Sequence, residues 1–309
     1  VVAIEGNFDD AQTGVKKIFG DKELEKELAG KGFQLSSANS INIGRLVPQV
    51  VYYVYAYCKL LENEVIKEGQ AINVVVPTGN FGNILAAYFA KQIGLPIKTL
   101  VCASNENKVL FDFFATGVYD RRREFILTNS PSMDILISSN LERLIYLSAG
   151  CDAQANRELM RELSEQGTYQ VTESMRAFMS DFKGGYASQE ESGAVIRHIF
   201  EDCGYLIDTH TGVAAAAYEK YRRETGDETV TVIASTASPY KFAPSVMAAI
   251  QGPEAVKGRD EFDVVEALSA LSGVPVPQAV EEIRTAPIRH SRECRPGEME
   301  NLVKSVLGV

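Results

Sequence analysis

Apolar residues along this chain fall into two alternating rhythms. Short β-branched runs are separated by longer stretches in which apolar side chains recur every three or four positions. Val1–Ile4 reads as a strand, Asn7–Phe19 as a helix with Asp9 and Asp10 near its start, and Phe33–Ser36 as a short strand. After the loop Ser37-Ala38-Asn39-Ser40, the spacing predicts a helix from about Ile43 to Glu68, whose Tyr52, Tyr53, Tyr55 and Tyr57 are expected to pack in the core. Gly69-Gln70 marks a boundary. Val74-Val75-Val76 then reads as a buried strand, followed by the turn Pro77-Thr78-Gly79-Asn80-Phe81-Gly82-Asn83 and a helix over Ile84–Ile93. A strand at Thr99–Ala103, a helix at Val109–Ala115 and a polar segment at Thr128–Ser139 come next. A long helical region from Leu141 to about Phe200 is broken at Gly167 and at Gly184-Gly185. Two further strand–loop–helix units are Leu206–Thr211 into Val213–Arg223 and Val230–Ala234 into Phe242–Ile250. From Pro253 to Val309 the chain reads as an appendage, with a short helix at Val264–Leu271, the stretch Pro275–Pro277 and a terminal helix from Pro296.

Strands alternating with helices point to an α/β fold, a mostly parallel sheet flanked by helices on both faces. In such sheets ligands sit beyond the carboxyl ends of the strands, which directs attention to residues 77–83, 208–212 and 235–239. A division is expected near Gly69, with 1–68 as the remainder of a small α/β domain and 69–309 as a larger domain carrying a C-terminal helical appendage.

Composition narrows the ligand. With 31 basic against 41 acidic residues the net charge is −10, and no basic cluster exceeds Arg121-Arg122-Arg123, which argues against nucleic acid. A small anion must therefore be held by local donors against the average field of the protein. Cys58, Cys102, Cys151, Cys203 and Cys294 have no zinc or CxxC spacing and read as reduced thiols of a cytoplasmic protein. His198, His210 and His290 form no metal pattern. No apolar run approaches the roughly 20 residues that cross a bilayer. The opening Val1-Val2-Ala3-Ile4-Glu5-Gly6 resembles a strand already inside a sheet, which suggests sequence missing upstream.

The glycine turn is the strongest chemical signal. A strand–loop–helix unit of this kind can aim backbone N–H groups and the positive end of a helix at one phosphate. It has only G-x-x-G spacing, with no ribose-binding acid at the usual distance and no Lys-Ser/Thr after Gly82, so dinucleotide and NTP readings are weak. Gly79 and Gly82 permit close approach and the Asn80 and Asn83 amides add donors, which suits a phosphate monoester; an ordinary strand–helix turn with a glycine cap is the alternative. Ser235-Thr236-Ala237-Ser238-Pro239 presents hydroxyls after a strand, as many helix starts also do. In Asn39-Ser40-Ile41-Asn42-Ile43-Gly44-Arg45 an arginine follows Asn and Ser donors at a helix entry. That set can grip a phosphate or carboxylate, or simply cap a helix beside a solvated arginine.

Taken together, five motifs in order resemble the threonine synthases, pyridoxal-phosphate enzymes of the tryptophan-synthase-β-like (fold type II) class. They are Ile4-Glu5-Gly6-Asn7-Phe8-Asp9-Asp10-Ala11, Asn39-Ser40-Ile41-Asn42 with Arg45, the 79–83 turn, Asp208-Thr209-His210-Thr211-Gly212-Val213-Ala214, and Ser235-Thr236-Ala237-Ser238-Pro239 with Lys241-Phe242. The resemblance covers most of the chain. It implies that Gly79, Asn80, Phe81, Gly82 and Asn83 cradle the 5′-phosphate of pyridoxal 5′-phosphate. Thr236 would partner the pyridine nitrogen, and Asn39, Ser40, Arg45 and Asn80 would hold the substrate phosphate. A neutral hydroxyl at Thr236 would leave the ring nitrogen largely unprotonated. His210 reads as structural, because nothing in the sequence supplies an orienting partner. Ser238 departs from the family, which typically has His there.

The implied reaction converts O-phospho-L-homoserine and water to L-threonine and phosphate, the last step of threonine biosynthesis, by γ-elimination and β-addition of water. The family's Schiff-base lysine, in a Phe-Lys-Asp-like motif, and its Ser-Gly-Asp-Thr-Gly-like loop occur nowhere in residues 1–309. The expectation is therefore the C-terminal portion of a PLP-dependent lyase, inactive alone and completed by an N-terminal segment of the same protein. No catalytic residue is assigned within this chain, and no metal, nucleic acid or membrane partner is expected. Rival readings are a threonine-synthase-like phospholyase and a non-catalytic fragment contributing only a structural half of the fold.

Overall fold

In the computed structural model, which describes residues 1–37 and 40–309 and leaves aside the side chains of Phe8 and Asp9, the chain opens on β1 (Ala3–Ile4), α1 (Phe8–Gly20) and α2 (Lys22–Gly30). Asn7 starts α1 with a reciprocal cap. Its Oδ1 accepts from the Asp10 amide at 3.0 Å, and Asp10 Oδ2 accepts from the Asn7 amide at 2.9 Å. No strand forms at Phe33–Ser36, where the backbone is irregular and finds no ladder partner. The single helix expected from Ile43 to Glu68 is instead α3 (Ile43–Leu46), a 3₁₀ turn at Val47–Gln49 containing Pro48, and α4 (Val50–Glu62). Tyr53 and Tyr57, one turn apart, are buried. Tyr52 and Tyr55 are 59% and 62% exposed, so the tyrosine stripe is core on one side only.

The central sheet begins with β2 (Ile72–Pro77), which α5 (Gly82–Gln92) connects to β3 (Ile97–Ser104). Then follow α6 (Val109–Thr116), β4 (Val118–Asp120), α7 (Leu141–Ser148), α8 (Ala153–Gln166), β5 (Thr168–Gln170) and α9 (Glu173–Phe178). Next come β6 (Phe182–Tyr186), α10 (Gln189–Cys203), α11 (Thr209–Thr225) and β7 (Thr231–Ile233). The four-stranded order is β6-β3-β2-β7 with every neighbour parallel, while β4 and β5 form an antiparallel pair. This is the α/β sheet with flanking helices that the pattern implied.

Three consecutive valines make sense once both faces are covered. Val74 and Val76 pack in the cluster that includes Leu85 and Tyr88 of α5, whereas Val75 meets Ala214 and Ala217 of α11. The small side chains let that helix lie close to the sheet.

β6 occupies a place where the pattern suggested broken helix. Its glycines are there for proximity: a Cβ on Gly184 would stand 2.9 Å from Phe111 Cα. The reverse error occurs at Leu206–Thr211, which is not a strand. Leu206 and Ile207 are buried in the cluster formed by α10 and the helices that follow β7, and Asp208 already caps α11.

After a 3₁₀ turn at Pro239–Phe242 come α12 (Ala243–Gln251), α13 (Glu261–Ser272), α14 (Gln278–Thr285), β8 (Glu293–Cys294) and α15 (Met299–Leu307). β8 pairs parallel with β1, and Met299, Val303 and Leu307 pack on Ile18, Leu24 and Leu28. The opening residues are thus a two-residue ladder, with Val1 89% exposed, and not a strand within the central sheet. From β2 the chain steps through β3 to β6, then returns to β7 on the other side of β2. The reversal lies between β2 and β7. Beyond the carboxyl ends of strands at such a point, open parallel sheets hold their ligands.

Candidate functional site

A cavity of about 300 Å³ lies at that reversal. Its walls come from the turn after β2, the segment after β7, and the stretch leading into α4. Gly79, Asn80, Phe81, Gly82, Asn83, Thr236, Ser40 and Arg45 all line it, and His210 and Lys241 join them. Asn39 lies outside the described residues.

The turn is shaped by what presses on it from behind. A Cβ on Gly79 would stand 2.3 Å from Ser132 O, and one on Gly82 would stand 2.5 Å from Ser40 Oγ; both positions need glycine for space. Phe81 takes a left-handed conformation (φ 65°) as N-cap of α5. Its buried ring lies 6.1 Å from Phe114 and 5.7 Å from Phe182, centroid to centroid, so only its backbone can serve the cavity.

The turn's carbonyls are spent on a brace that the sequence did not reveal. Ser138 Oγ donates to Gly79 O at 2.6 Å, and the backbone and side-chain nitrogens of Asn140 donate to Asn80 O at 3.0 and 2.9 Å. Asn140 Nδ2 also reaches Ser40 Oγ at 3.1 Å, tying the segment that leads into α3 to the turn. Tyr53 donates its hydroxyl to Asn83 Oδ1, which leaves the amide nitrogen of Asn83 as a donor. With acceptors consumed, what this end of α5 offers is N–H groups and the positive end of an eleven-residue helix.

His210 has the orienting partner that the sequence concealed. Buried Asp208 accepts from the His210 amide at 2.8 Å and from its ring Nδ1 at 3.0 Å. The other ring nitrogen, Nε2, accepts the Ser132 amide at 3.2 Å. A backbone N–H only donates, so the proton sits on Nδ1 and the ring is neutral. His210 therefore positions Ser132, whose carbonyl backs Gly79. That is a structural role. Burial raises the Asp208 carboxyl, but hydrogen bonds from His210 and Thr211 outweigh it and hold the group below the usual carboxylate range.

On the facing wall, Thr236 is exposed to the cavity and its hydroxyl bonds to no described residue. Its neighbours are occupied: Ser235 Oγ lies 3.2 Å from Thr211 Oγ1, and Ser238 Oγ accepts the Tyr240 amide at 3.3 Å. Arg45, in α3, makes no ion pair among the described residues, and neither does Lys241, whose Nζ lies 5.4 Å from the Phe242 ring centroid. Among the described residues no Asp or Glu lines the cavity. In a chain of net charge −10, the described lining of this concavity holds two cations and no carboxylate. Lys241 was not among the expected site residues; its signal was its place two positions after the Ser238-Pro239 turn. Among the described residues no cluster could hold a metal ion, and no helix is long and apolar enough to cross a membrane.

Comparison with known proteins agrees with this geometry. The family model described as threonine synthase, C-terminal, matches residues 211–292. Threonine synthase-like 1 of Homo sapiens is 44% identical over 254 residues, covering 81% of this chain and 34% of that protein. Threonine synthase of Saccharomyces cerevisiae is 38% identical over 266 residues, covering 81% of this chain and 50% of that protein. Among solved structures, PLP-bound threonine synthase from Brucella melitensis superposes with a TM-score of 0.76 at 35% identity, over 98% of this chain and 59% of that one. Threonine synthase from yeast gives 0.77 at 32% identity, over 99% and 59%. The chain thus spans between a third and about half the length of these two curated relatives.

Proposed function

We propose that this chain, a member of the family of threonine synthases and threonine synthase-like proteins, supplies the cofactor cradle and substrate clamp of a pyridoxal-phosphate-dependent lyase acting on a phosphorylated amino acid. One observation carries the reading: a cavity that, among the described residues, holds no acid and joins the N-terminus of α5, two cations without ion-pair partners and an unpartnered hydroxyl. The residues fit the cofactor's phosphate and ring. Gly79, Asn80, Phe81, Gly82 and Asn83 would hold the phosphate through the N-terminal N–H groups of α5 and the side-chain amides. Thr236 would meet the pyridine nitrogen with a neutral hydroxyl. Residues 1–68 would provide the clamp, Asn39, Ser40 and Arg45 with Asn80, against the 69–309 portion.

When bound, the cofactor supplies an electron sink for charge developing at the substrate's α-carbon. The chain's own residues orient the ring, neutralise the leaving phosphate and keep carboxylates away from it. Proton transfers at Cα and Cβ would need a lysine amine in the family's motif, which residues 1–309 do not contain, so the polypeptide alone should release no phosphate. The finer reading is conversion of O-phospho-L-homoserine and water to L-threonine and phosphate. The higher identity to threonine synthase-like 1, 44% against 38%, favours keeping a second reading, phosphate elimination that ends in 2-oxobutyrate.

Pyridoxamine 5′-phosphate forms no bond to lysine and so isolates the cradle. It should bind the purified chain at least about 100-fold more tightly than pyridoxamine, a difference of about 2.7 kcal/mol. Equal affinities in titration calorimetry would remove the phosphate from the proposal. Product analysis on a protein that also supplies the lysine separates threonine from 2-oxobutyrate.

A further inference from the structure

A second, larger cavity of about 670 Å³ lies behind the brace, between α7, α8, the β4–β5 pair and the segment 41–43. Its walls are mostly apolar, with Phe89, Ile137, Leu147, Met160 and Leu163 among them. Tyr169 also lines it. The residue is 3% exposed, its ring stacks on Tyr119 with centroids 5.3 Å apart, and its hydroxyl has no hydrogen-bond partner among the described residues. A hydroxyl on a nearly buried ring, open to a cavity and without a described partner, is a donor free to meet a ligand. Among the described lining residues, Lys16 and Arg143 stand against Glu142. Size, walls and charge all fall within the range of small-molecule sites.

Arg143 links this cavity to the other. Its Nη2 donates to Ile41 O at 2.8 Å, beside the clamp, and its Nε donates to Asn140 Oδ1 at 3.2 Å. Asn140 in turn holds Asn80 O in the glycine turn. An anion that takes Arg143 side-on, through Nε and Nη2, competes with both of those bonds, and the proposed coupling requires that side-on grip.

We propose that this cavity is an effector site for a small monoanion with a flat apolar body, an aromatic carboxylate, recognised by Arg143 and the Tyr169 hydroxyl, and that its occupation loosens the 79–83 turn. The coupling rests on the cofactor-phosphate reading of that turn; the site itself does not.

The test is a ¹⁹F NMR titration of the purified chain with 4-fluorophenylacetate. Saturable binding is expected. Tyr169→Phe, which keeps the ring and removes the hydroxyl, and Arg143→Gln should each weaken it several-fold, and Met160→Trp, which fills the cavity, should abolish it. By reciprocity, saturating probe should weaken pyridoxamine 5′-phosphate binding at least about fivefold. Absence of saturation up to about 20 mM, where even a millimolar site would be filled, overturns the site. Unchanged binding in both Tyr169→Phe and Met160→Trp overturns it too. Should Arg143→Gln fail to fold, those two variants still decide. Probe binding that leaves pyridoxamine 5′-phosphate affinity untouched overturns the coupling. A chain that binds the probe but no pyridoxamine 5′-phosphate refutes the cofactor reading and leaves the second cavity standing.

Discussion

The two ends of the central sheet carry opposite kinds of polar chemistry. At the amino end, Asp227 is 8% exposed at its side chain and is saturated. It accepts from Asn73 Nδ2 at 3.0 Å, Lys98 Nζ at 2.9 Å, Tyr221 OH at 2.8 Å, and the Thr229 amide and hydroxyl at 3.0 and 2.6 Å. Each of these donors has found the carboxylate, although buried Asn73 Oδ1 has no partner among the described residues, and the cluster ties the starts of β2, β3 and β7 together. At the carboxyl end, Arg45, Lys241 and Thr236 face a cavity with no such partner. A satisfied network holds a fold; an unsatisfied set of donors, kept in place by a satisfied brace, is poised to bind. The distinction lies in the hydrogen-bond accounting, since both ends carry charged and hydroxyl side chains.

Substitutions at the two ends should therefore separate stability from affinity. The largest effect is expected for Asp227→Ala, which strands buried donors and should cost about 3 kcal/mol in denaturant unfolding while leaving pyridoxamine 5′-phosphate affinity unchanged. The Thr229 hydrogen bonds, followed by Lys98, hold this carboxyl far below its ordinary range against the opposing effect of burial. A group with a depressed folded-state pKa stabilises the protein above its unfolded value and ceases to as pH falls through the folded one. Wild-type stability should thus decline below about pH 4, and the decline should be shallower in Asp227→Ala. Gly79→Ala comes next. Its Cβ meets the Ser132 carbonyl, so about 2 kcal/mol of stability and most pyridoxamine 5′-phosphate binding should be lost together, which blurs the separation at the one place where the brace touches the turn. Arg45→Gln should leave the melting temperature alone and weaken phosphohomoserine binding about tenfold, or about 1.4 kcal/mol. The smallest effect belongs to Thr236→Val, about 1 kcal/mol of cofactor affinity at constant stability. A Thr236→Val protein that melts early, or an Asp227→Ala protein that loses the ligand selectively, would break the contrast.

How much of this was legible varies with how local the cause is. The β2–turn–α5 unit could be read because valine burial, glycine and helical spacing all act within twenty or so residues. Asn7 and Asp10 announced the start of α1 for the same reason. β6 was hidden because Gly184 and Gly185 look like helix breakers, while their purpose, the approach of Phe111, lies far along the chain. Leu206-Ile207 looked like a strand because burial alone does not say whether a sheet or a helix cluster does the covering. Ser138, Ser139 and Asn140 carried no signal at all; their partners in the turn stand about sixty residues away. The orientation of His210 was half visible, since Asp208 is two positions off, and half invisible, since Ser132 is not.

Phe81 has one more implication. Its unusual backbone is ballasted by a ring wedged into aromatic neighbours on the side away from the cavity. Under the proposed reading, the mould for a phosphate is cast by the hydrophobic interior and does not wait for its guest. Arrival of a phosphate should require no ordering of the turn and little entropy beyond that of the ion itself, so encounter, not closure, would set the pace of loading.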